Sequence, residues 1–130
     1  MLDALRTSGT GLLAQKFRMN LISQNLANAN TTGYRRKDVI FGAFESFFPF
    51  ASAVESAKGV SVLGMTEDKS DYQMIYDPHH PAANGEGYVE MPNIDPVIEM
   101  VNLITASRAY EANLVAISVT KSMALKSTEI

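Results

Sequence analysis

The first part of the chain carries apolar residues at helical spacing from about Leu2 to Asn28. One narrow stripe on this predicted helix consists of Leu5, Leu12, Met19, Ile22 and Leu26. A second apolar group, Leu13, Phe17 and Leu21, lies on another side of the same helix. Because one stripe is enough to bury a helix against one neighbour, two stripes predict two packing partners.

Glycines mark both ends of this first helix. The turn sequence 30–33 ends in Gly33, which adopts left-handed or turn conformations at little steric cost, so we expect the helix to end before it. Near the start, Gly9 and Gly11 weaken the helix. Close approach of another backbone and a frayed first turn both explain these two glycines.

A longer helix is predicted from Asp95 to about Lys126. Asp95 suits the N-cap and Pro96 suits the first helical position. Apolar residues then recur in the alternating spacing of a coiled-coil seam, at Met100, Leu103, Tyr110, Leu114 and Ile117. The other sides of the helix are also apolar or small, so it must be buried on most sides. A chain of 130 residues leaves too little protein to cover it, and other subunits are the simplest cover.

The region between the helices changes character. Short strands are predicted at residues 60–63, 72–76 and 87–91, and a dense turn stretch separates the last two. Five of the six phenylalanines lie between Phe41 and Phe50. They form either the core of a small middle region or an exposed apolar patch that docks on a neighbour.

The patterns together predict a mainly α fold. Its long N- and C-terminal helices pair as an antiparallel coiled coil, and a small strand-and-loop insertion lies between them. The predicted units are residues 1–33 for the first helix, 34–94 for the middle region and 95–130 for the second helix. The pairing places Leu5, Leu12, Met19, Ile22 and Leu26 against Met100, Leu103, Tyr110, Leu114 and Ile117.

Composition narrows the function classes. The formal charge is only -3, which gives no indication of nucleic-acid binding. The chain contains no cysteine, so disulfides, thiol nucleophiles and cysteine zinc sites are excluded. No run is apolar and long enough to span a membrane, and the first residues lack the features of a cleaved signal peptide.

The candidates for chemistry are few. His79 and His80 lie beside Asp77 in the turn stretch, and without a third histidine they are more typical of a turn than of a metal site. The basic triplet 35–37 is expected to be a solvated turn or to contact the acidic middle of another copy. We therefore predict no enzyme activity, no cofactor, no metal, no nucleic acid and no small-molecule substrate.

Three motifs resemble the bacterial flagellar rod and hook protein family, in particular its proximal rod members. The first follows the N-terminal helix and contains Asn25, Ala27, Asn28, Thr31, Gly33 and Tyr34. The second lies in the middle region and contains Tyr76, Asp77, Pro78, Gly87, Tyr88, Met91, Pro92 and Asn93. The third lies in the C-terminal helix and contains Glu99, Met100, Asn102, Ser107, Arg108, Tyr110 and Asn113. The resemblance covers about residues 1–38 and 72–130 and leaves residues 39–71 unassigned.

The resemblance implies a structural role. Proteins of this family stack their paired terminal helices into a helical tube that crosses the periplasm in the flagellar basal body and transmits motor torque. The implied partners are copies of the chain itself, other flagellar rod proteins, the membrane-ring and adaptor proteins of the basal body, and the flagellar export apparatus. The resemblance also implies export without a cleaved signal peptide.

Other functions remain open from the residues alone. Within the family, another rod paralogue is the alternative. Outside it, a helical adaptor that binds one partner helix, a peripheral membrane protein using the phenylalanine cluster and a hydrolase with a metal-binding loop stay as rivals.

Overall fold

A computed structural model describes residues 1–45 and 58–130 of the chain. Along the chain, four strands lie between two long helices. The elements are α1 (Leu2–Ala27), β1 (Lys37–Glu45), β2 (Lys58–Glu67), β3 (Gln73–Tyr76), β4 (Tyr88–Met91) and α2 (Pro96–Thr128).

The ends of the helices follow the predicted signals. Asp95 caps α2, because its carboxylate accepts the backbone N–H of Val97 at 2.9 Å, and Pro96 occupies the first turn. Downstream of α1, Gly33 has a φ of 74°, in the left-handed region that its sequence position predicts. These local signals therefore define where each helix starts or stops.

The two helices pack against each other in antiparallel orientation. Asn25 near the end of α1 contacts Glu99 in the first turn of α2, and Gly11 lies under Asn113 in the middle of α2. Part of the buried apolar core lies on these helices, with Ala14, Leu21 and Ile22 on α1 and Ala106 on α2. Burying a side chain of the size of leucine or isoleucine contributes about 1.5 to 3 kcal/mol.

The β1–β2 hairpin lies along α1. The strands are antiparallel from Lys37 opposite Glu67 onward, with an irregularity between Ile40 and Phe41. The hairpin also contacts the first half of α1, where the hydroxyl of Thr10 accepts the backbone N–H of Val60 at 3.1 Å. α1 thus has two packing partners within one chain, α2 and the hairpin, although Leu13 of its second apolar group is 70% exposed.

The second sheet joins the end of α1 to the start of α2. β3 and β4 are antiparallel, with Tyr76 opposite Tyr88. The backbone N–H of Gly33 donates to the carbonyl of Glu90 at 3.1 Å and ties this sheet to the turn after α1. Val89 on β4 is buried, so the sheet contributes to the same end of the core.

The predicted fold class is wrong in two respects. The insertion is not small, because it holds two separate antiparallel sheets, one of which is the β1–β2 hairpin with strands of 9 and 10 residues. The predicted coiled coil is also not observed. The side of α2 towards α1 carries Glu99, Ala106 and Asn113, whereas Met100 and Leu114 of the predicted seam are 54% and 45% exposed. Since α2 is apolar on most sides, apolar spacing does not identify the side that packs on α1.

Two further predictions from the sequence concern the phenylalanine cluster and membrane crossing. The cluster from Phe41 to Phe50 is described only as far as residue 45, where it belongs to β1, so its proposed role lies largely outside the described residues. Neither of the helices in the described ranges combines the length and apolar character that a membrane crossing requires.

Candidate functional site

A buried polar cluster lies where the end of α1, the start of β1 and the start of α2 meet. Its centre is Asn25, which is completely inaccessible to solvent. The side-chain oxygen of Asn25 accepts the backbone N–H of Lys37 at 2.9 Å and the hydroxyl of Tyr34 at 3.1 Å. Its amide nitrogen donates to the carbonyl of Lys37 at 2.8 Å and to Glu99 at 3.5 Å. Every hydrogen-bonding atom of this amide is therefore used.

Glu99 is the second buried member of the cluster and is only 1% exposed. Its carboxylate accepts a hydrogen bond from the guanidinium of Arg36, which also lies 3.2 Å from Asp38. Burial alone lowers the pKa of Arg36, but the hydrogen bond and charge of Glu99, aided by Asp38, outweigh burial and raise it. The first turn of a helix also favours a carboxylate, so two sources of positive potential hold Glu99 in the interior.

The neighbouring residues extend this cluster to the surface. Arg35 lies over the ring of Tyr72, 4.4 Å from its centroid, and donates to the carbonyl oxygens of Asp68 and Ser70. The backbone N–H of Ser70 in turn donates to the carboxylate of Asp68 and lowers the pKa of that group. A shallow pocket with a volume of about 10 Å³ opens here, which is far below the usual size of ligand pockets. The arrangement is typical of structural bracing.

A second feature is an exposed apolar face on α2. The residues Val97, Val101, Ile104, Val115 and Val119 are all exposed, and Val97 and Val115 reach 68% and 61%. At 100° per residue they lie on the side opposite Ala106, which is fully buried against α1. We call these five residues the outer face of α2.

The predicted helix-pairing residues fall into three groups by exposure. Ile22 is buried. The half-buried residues are Leu5, Leu12, Met19 and Leu26 on α1 and Leu103, Tyr110 and Ile117 on α2. Met100 is exposed beside the outer face, and Leu114 is exposed between the outer face and the side that carries Ala106. Eight of the ten side chains are thus at least partly shielded within one chain, and the other two are accessible to a neighbour.

Motif residues from all three segments meet at the end of the molecule that holds the buried cluster. Asn25 and Tyr34 of the first motif belong to the buried cluster, and Glu99 of the third motif joins them from α2. In the second motif, the rings of Tyr76 and Tyr88 meet edge to face with centroids 5.3 Å apart. Arg108 and Asn113 lie farther along α2, where the amide of Asn113 packs against Gly11.

The turn between β3 and β4 holds the histidines that the sequence offered for metal binding. The side chain of Asp77 accepts the backbone N–H of His79, and the ring of His80 accepts the backbone N–H of Ala82. Within residues 1–45 and 58–130, no three His, Cys, Asp or Glu side chains converge as metal ligands would. The side chains of Asp77 and His80 thus act as local turn-forming groups.

The role of Arg36 differs from the sequence expectation. A solvated turn or a contact with another copy was expected, but Arg36 pairs with Glu99 of the same chain, 63 residues away. One sequence signal could have indicated this pair. Glu99 is the single acidic residue in an otherwise apolar first part of the helix, and such a residue requires a partner when it is buried.

Comparison with known proteins gives the family. The family described as "Flagella basal body rod protein" matches residues 5–35, and the family described as "Flagellar basal body rod FlgEFG protein C-terminal" matches residues 86–130. These matches include most of α1, all of α2, and Asn25, Tyr34 and Glu99 of the buried cluster, whereas Arg36 lies just outside the matched residues.

Curated relatives match nearly the whole chain. The flagellar basal-body rod protein FlgC of Bacillus subtilis is 43% identical over an alignment that covers 98% of this chain and 95% of that protein. FlgC of Salmonella typhimurium is 39% identical, with 97% and 94% covered. FlgC of Borreliella burgdorferi is 38% identical, with 95% and 92% covered. The resemblance carried by the three motifs is confirmed, and the chain belongs to the FlgC family of flagellar basal-body rod proteins.

Proposed function

We propose that this chain is a structural subunit of the proximal rod of the flagellum and assembles through its terminal helices into a helical tube that transmits motor torque. Membership of the FlgC family supports a structural subunit of the basal-body rod. In this proposal the rod crosses the periplasm, the subunit is exported without a cleaved signal peptide, and the chain is not an enzyme.

The outer face of α2 is the observation that carries the proposal. Aliphatic side chains along one helix, from Val97 to Val119, are exposed on the side that α1 does not cover. The exposed charged residues Arg108 and Glu111 lie on the same side and divide this surface into two apolar stretches, residues 97–104 and 115–119. Clusters of exposed aliphatic side chains mark sites of protein association. A neighbouring subunit packed on this face would remove it from water.

The partners follow from the arrangement of packing faces. α1 is covered by the hairpin and by α2, so the largest apolar helix surface available to a neighbour belongs to α2. We propose that copies of this chain and other flagellar rod proteins pack there. Membrane-ring and adaptor proteins of the basal body and the flagellar export apparatus complete the proposed set of partners.

A charge placed on the outer face tests this proposal. Val115 is 61% exposed, so Val115→Asp changes little within the folded chain but places a carboxylate in the proposed contact between subunits. We expect cells whose only copy carries this substitution to produce the protein but to lose the rod and swimming. Swimming at the unsubstituted rate would contradict the proposal.

The matched control adds the same charge elsewhere. Asn20 is an exposed polar residue of α1, and Asn20→Asp also introduces one carboxylate. We expect this variant to swim normally. Circular dichroism of both purified variants should give the helix content of the unsubstituted chain, which separates a defect in assembly from a defect in folding.

A further inference from the structure

We infer that Asn25, Arg36 and Glu99 form a lock that holds the β1–β2 hairpin in one orientation against the two helices. Asn25 belongs to α1, Glu99 to α2, and Arg36 immediately precedes β1. The three residues therefore join three elements at one point. The lock is a property of the folded chain and does not depend on the proposed function.

The hydrogen bonds at this point fix both the position and the register of β1. The amide of Asn25 binds the N–H and the carbonyl of Lys37, as a residue of a neighbouring strand would. Arg36, the residue before Lys37, donates a hydrogen bond to the carboxylate of Glu99. A shift of β1 by one residue would break both bonds to Asn25 and move Arg36 away from its buried partner.

Burial makes the lock specific. Asn25 and Glu99 are 0% and 1% exposed, so neither can exchange its partner for water. A buried carboxylate that loses its partner is costly, whereas apolar contacts of the hairpin tolerate small shifts. The polar contacts therefore select one hairpin orientation among the several that apolar packing alone would permit.

A second contact of the hairpin with α1, among the residues that the structure describes, is weaker than the lock. There the hydroxyl of Thr10 accepts the N–H of Val60, in exposed surroundings. A single exposed hydrogen bond can be replaced by water at little cost. Loss of the lock should thus leave the hairpin attached but free to vary in angle. In an assembled rod, the lock would make the hairpin follow every rotation of the helices.

Spin labels can measure the hairpin orientation directly. The chain has no cysteine, so two exposed residues, Ala43 on β1 and Thr105 on α2, can be changed to cysteine and labelled without competing sites. Pulsed dipolar spectroscopy of the full chain then gives the distribution of distances between hairpin and helix. We expect a narrow distribution for the labelled chain without other changes, and a broad one would overturn the proposal.

Substitutions in the lock should broaden this distribution. Arg36→Gln and Glu99→Gln each remove the ion pair, and circular dichroism should show that the helices persist. We also expect the amide hydrogen of Lys37 to exchange about tenfold faster, as follows from losing on the order of 1.4 kcal/mol of local stability. A narrow distribution and an unchanged exchange rate in both variants would overturn the lock.

Two further variants make the test decisive. Asp38→Asn removes the exposed partner of Arg36 and leaves Glu99 in place, so the distribution should stay narrow. Broadening in this control equal to that in Glu99→Gln would assign the effect to general surface charge and overturn the proposal. Should Arg36→Gln or Glu99→Gln lose its helices, Arg36→Lys keeps the charge but not the guanidinium geometry. A narrow distribution in Arg36→Lys would then overturn the lock, and a broad one would support it.

Discussion

The side chain of Asn25 binds the backbone of Lys37 as a strand partner would. Its oxygen accepts the Lys37 N–H at 2.9 Å and its nitrogen donates to the Lys37 carbonyl at 2.8 Å. A helix cannot continue a β-ladder with its own backbone, because its N–H and carbonyl groups are already paired. The carboxamide of Asn25 solves this problem with one donor and one acceptor on the same group.

Asn25→Ala should destabilise the chain strongly. The substitution leaves both backbone groups of Lys37 and the hydroxyl of Tyr34 without their buried partner. We expect the free energy of unfolding to fall by roughly 2 to 4 kcal/mol, because each unsatisfied buried group costs about 1 to 3 kcal/mol. Urea unfolding followed by circular dichroism measures this change. A loss smaller than about 1 kcal/mol would mean that water replaces the amide.

The two glycines of α1 should respond differently to alanine. A Cβ atom at Gly9 meets nothing within 4 Å, so Gly9→Ala should stabilise the chain by up to about 1 kcal/mol through helix propensity. A Cβ atom at Gly11 would lie 3.1 Å from the amide nitrogen of Asn113. Gly11→Ala should therefore gain less or lose stability. Thermal unfolding of the two variants side by side measures the difference, and equal gains would show that the helices do not approach closely at Gly11.

Tyr34 should make stability depend on pH in the alkaline range. Burial, followed by the charges of Glu67 and Glu99, raises the pKa of Tyr34 above its ordinary value of 10.0. The folded chain therefore keeps the phenolic proton where the unfolded chain has lost it. The associated stability is fully present below pH 10 and is lost as pH rises through the folded pKa.

Tyr34→Phe provides the control for this pH effect, because phenylalanine has no proton to lose. Above pH ~10 the unfolding free energy of the unsubstituted chain should fall more steeply than that of Tyr34→Phe. Urea unfolding at several alkaline pH values compares the two chains under the same titration of all other groups. Parallel curves would show that Tyr34 titrates alike in the folded and unfolded chain.

The sequence predicts the helices better than the contacts between them. Asp95 and Pro96 mark the start of α2 and Gly33 marks the turn after α1, because caps and turns depend on residues that are close in sequence. Strand β1 is not predicted from the sequence, because its apolar residues belong to a phenylalanine-rich stretch in which apolar and polar positions do not alternate clearly. The pattern also misses two residues on the packed side of α2, Ala106 and Asn113, because small and polar residues contribute little to an apolar pattern although they fit against α1.

The buried cluster is invisible to such patterns for a physical reason. Arg36 and Glu99 lie 63 residues apart, and no periodicity indicates that a charged residue is buried. The motif resemblance includes Asn25 and Glu99 but assigns them no contact. Only the three-dimensional arrangement shows that they bind one another and the residues between the helix and the first strand.

Leu114→Asp distinguishes contacts within the chain from contacts between copies. The sequence predicts that Leu114 pairs with α1; in the structure it is 45% exposed and lies between the outer face of α2 and the side that carries Ala106. We expect swimming to be lost while the free energy of unfolding changes by less than about 1 kcal/mol, as is usual for exposed positions. A loss of more than about 2 kcal/mol in the purified chain would assign Leu114 to the helix pair instead.

Imaging of the assembled rod tests the central claim most directly. Basal bodies isolated from cells whose only copy of this chain carries a tag can be examined by electron cryomicroscopy at side-chain resolution. We expect the tagged subunit in the proximal rod, with Val101, Ile104 and Val115 buried against a neighbouring subunit. A rod that lacks this subunit, or one in which the outer face of α2 contacts only water, would contradict the account.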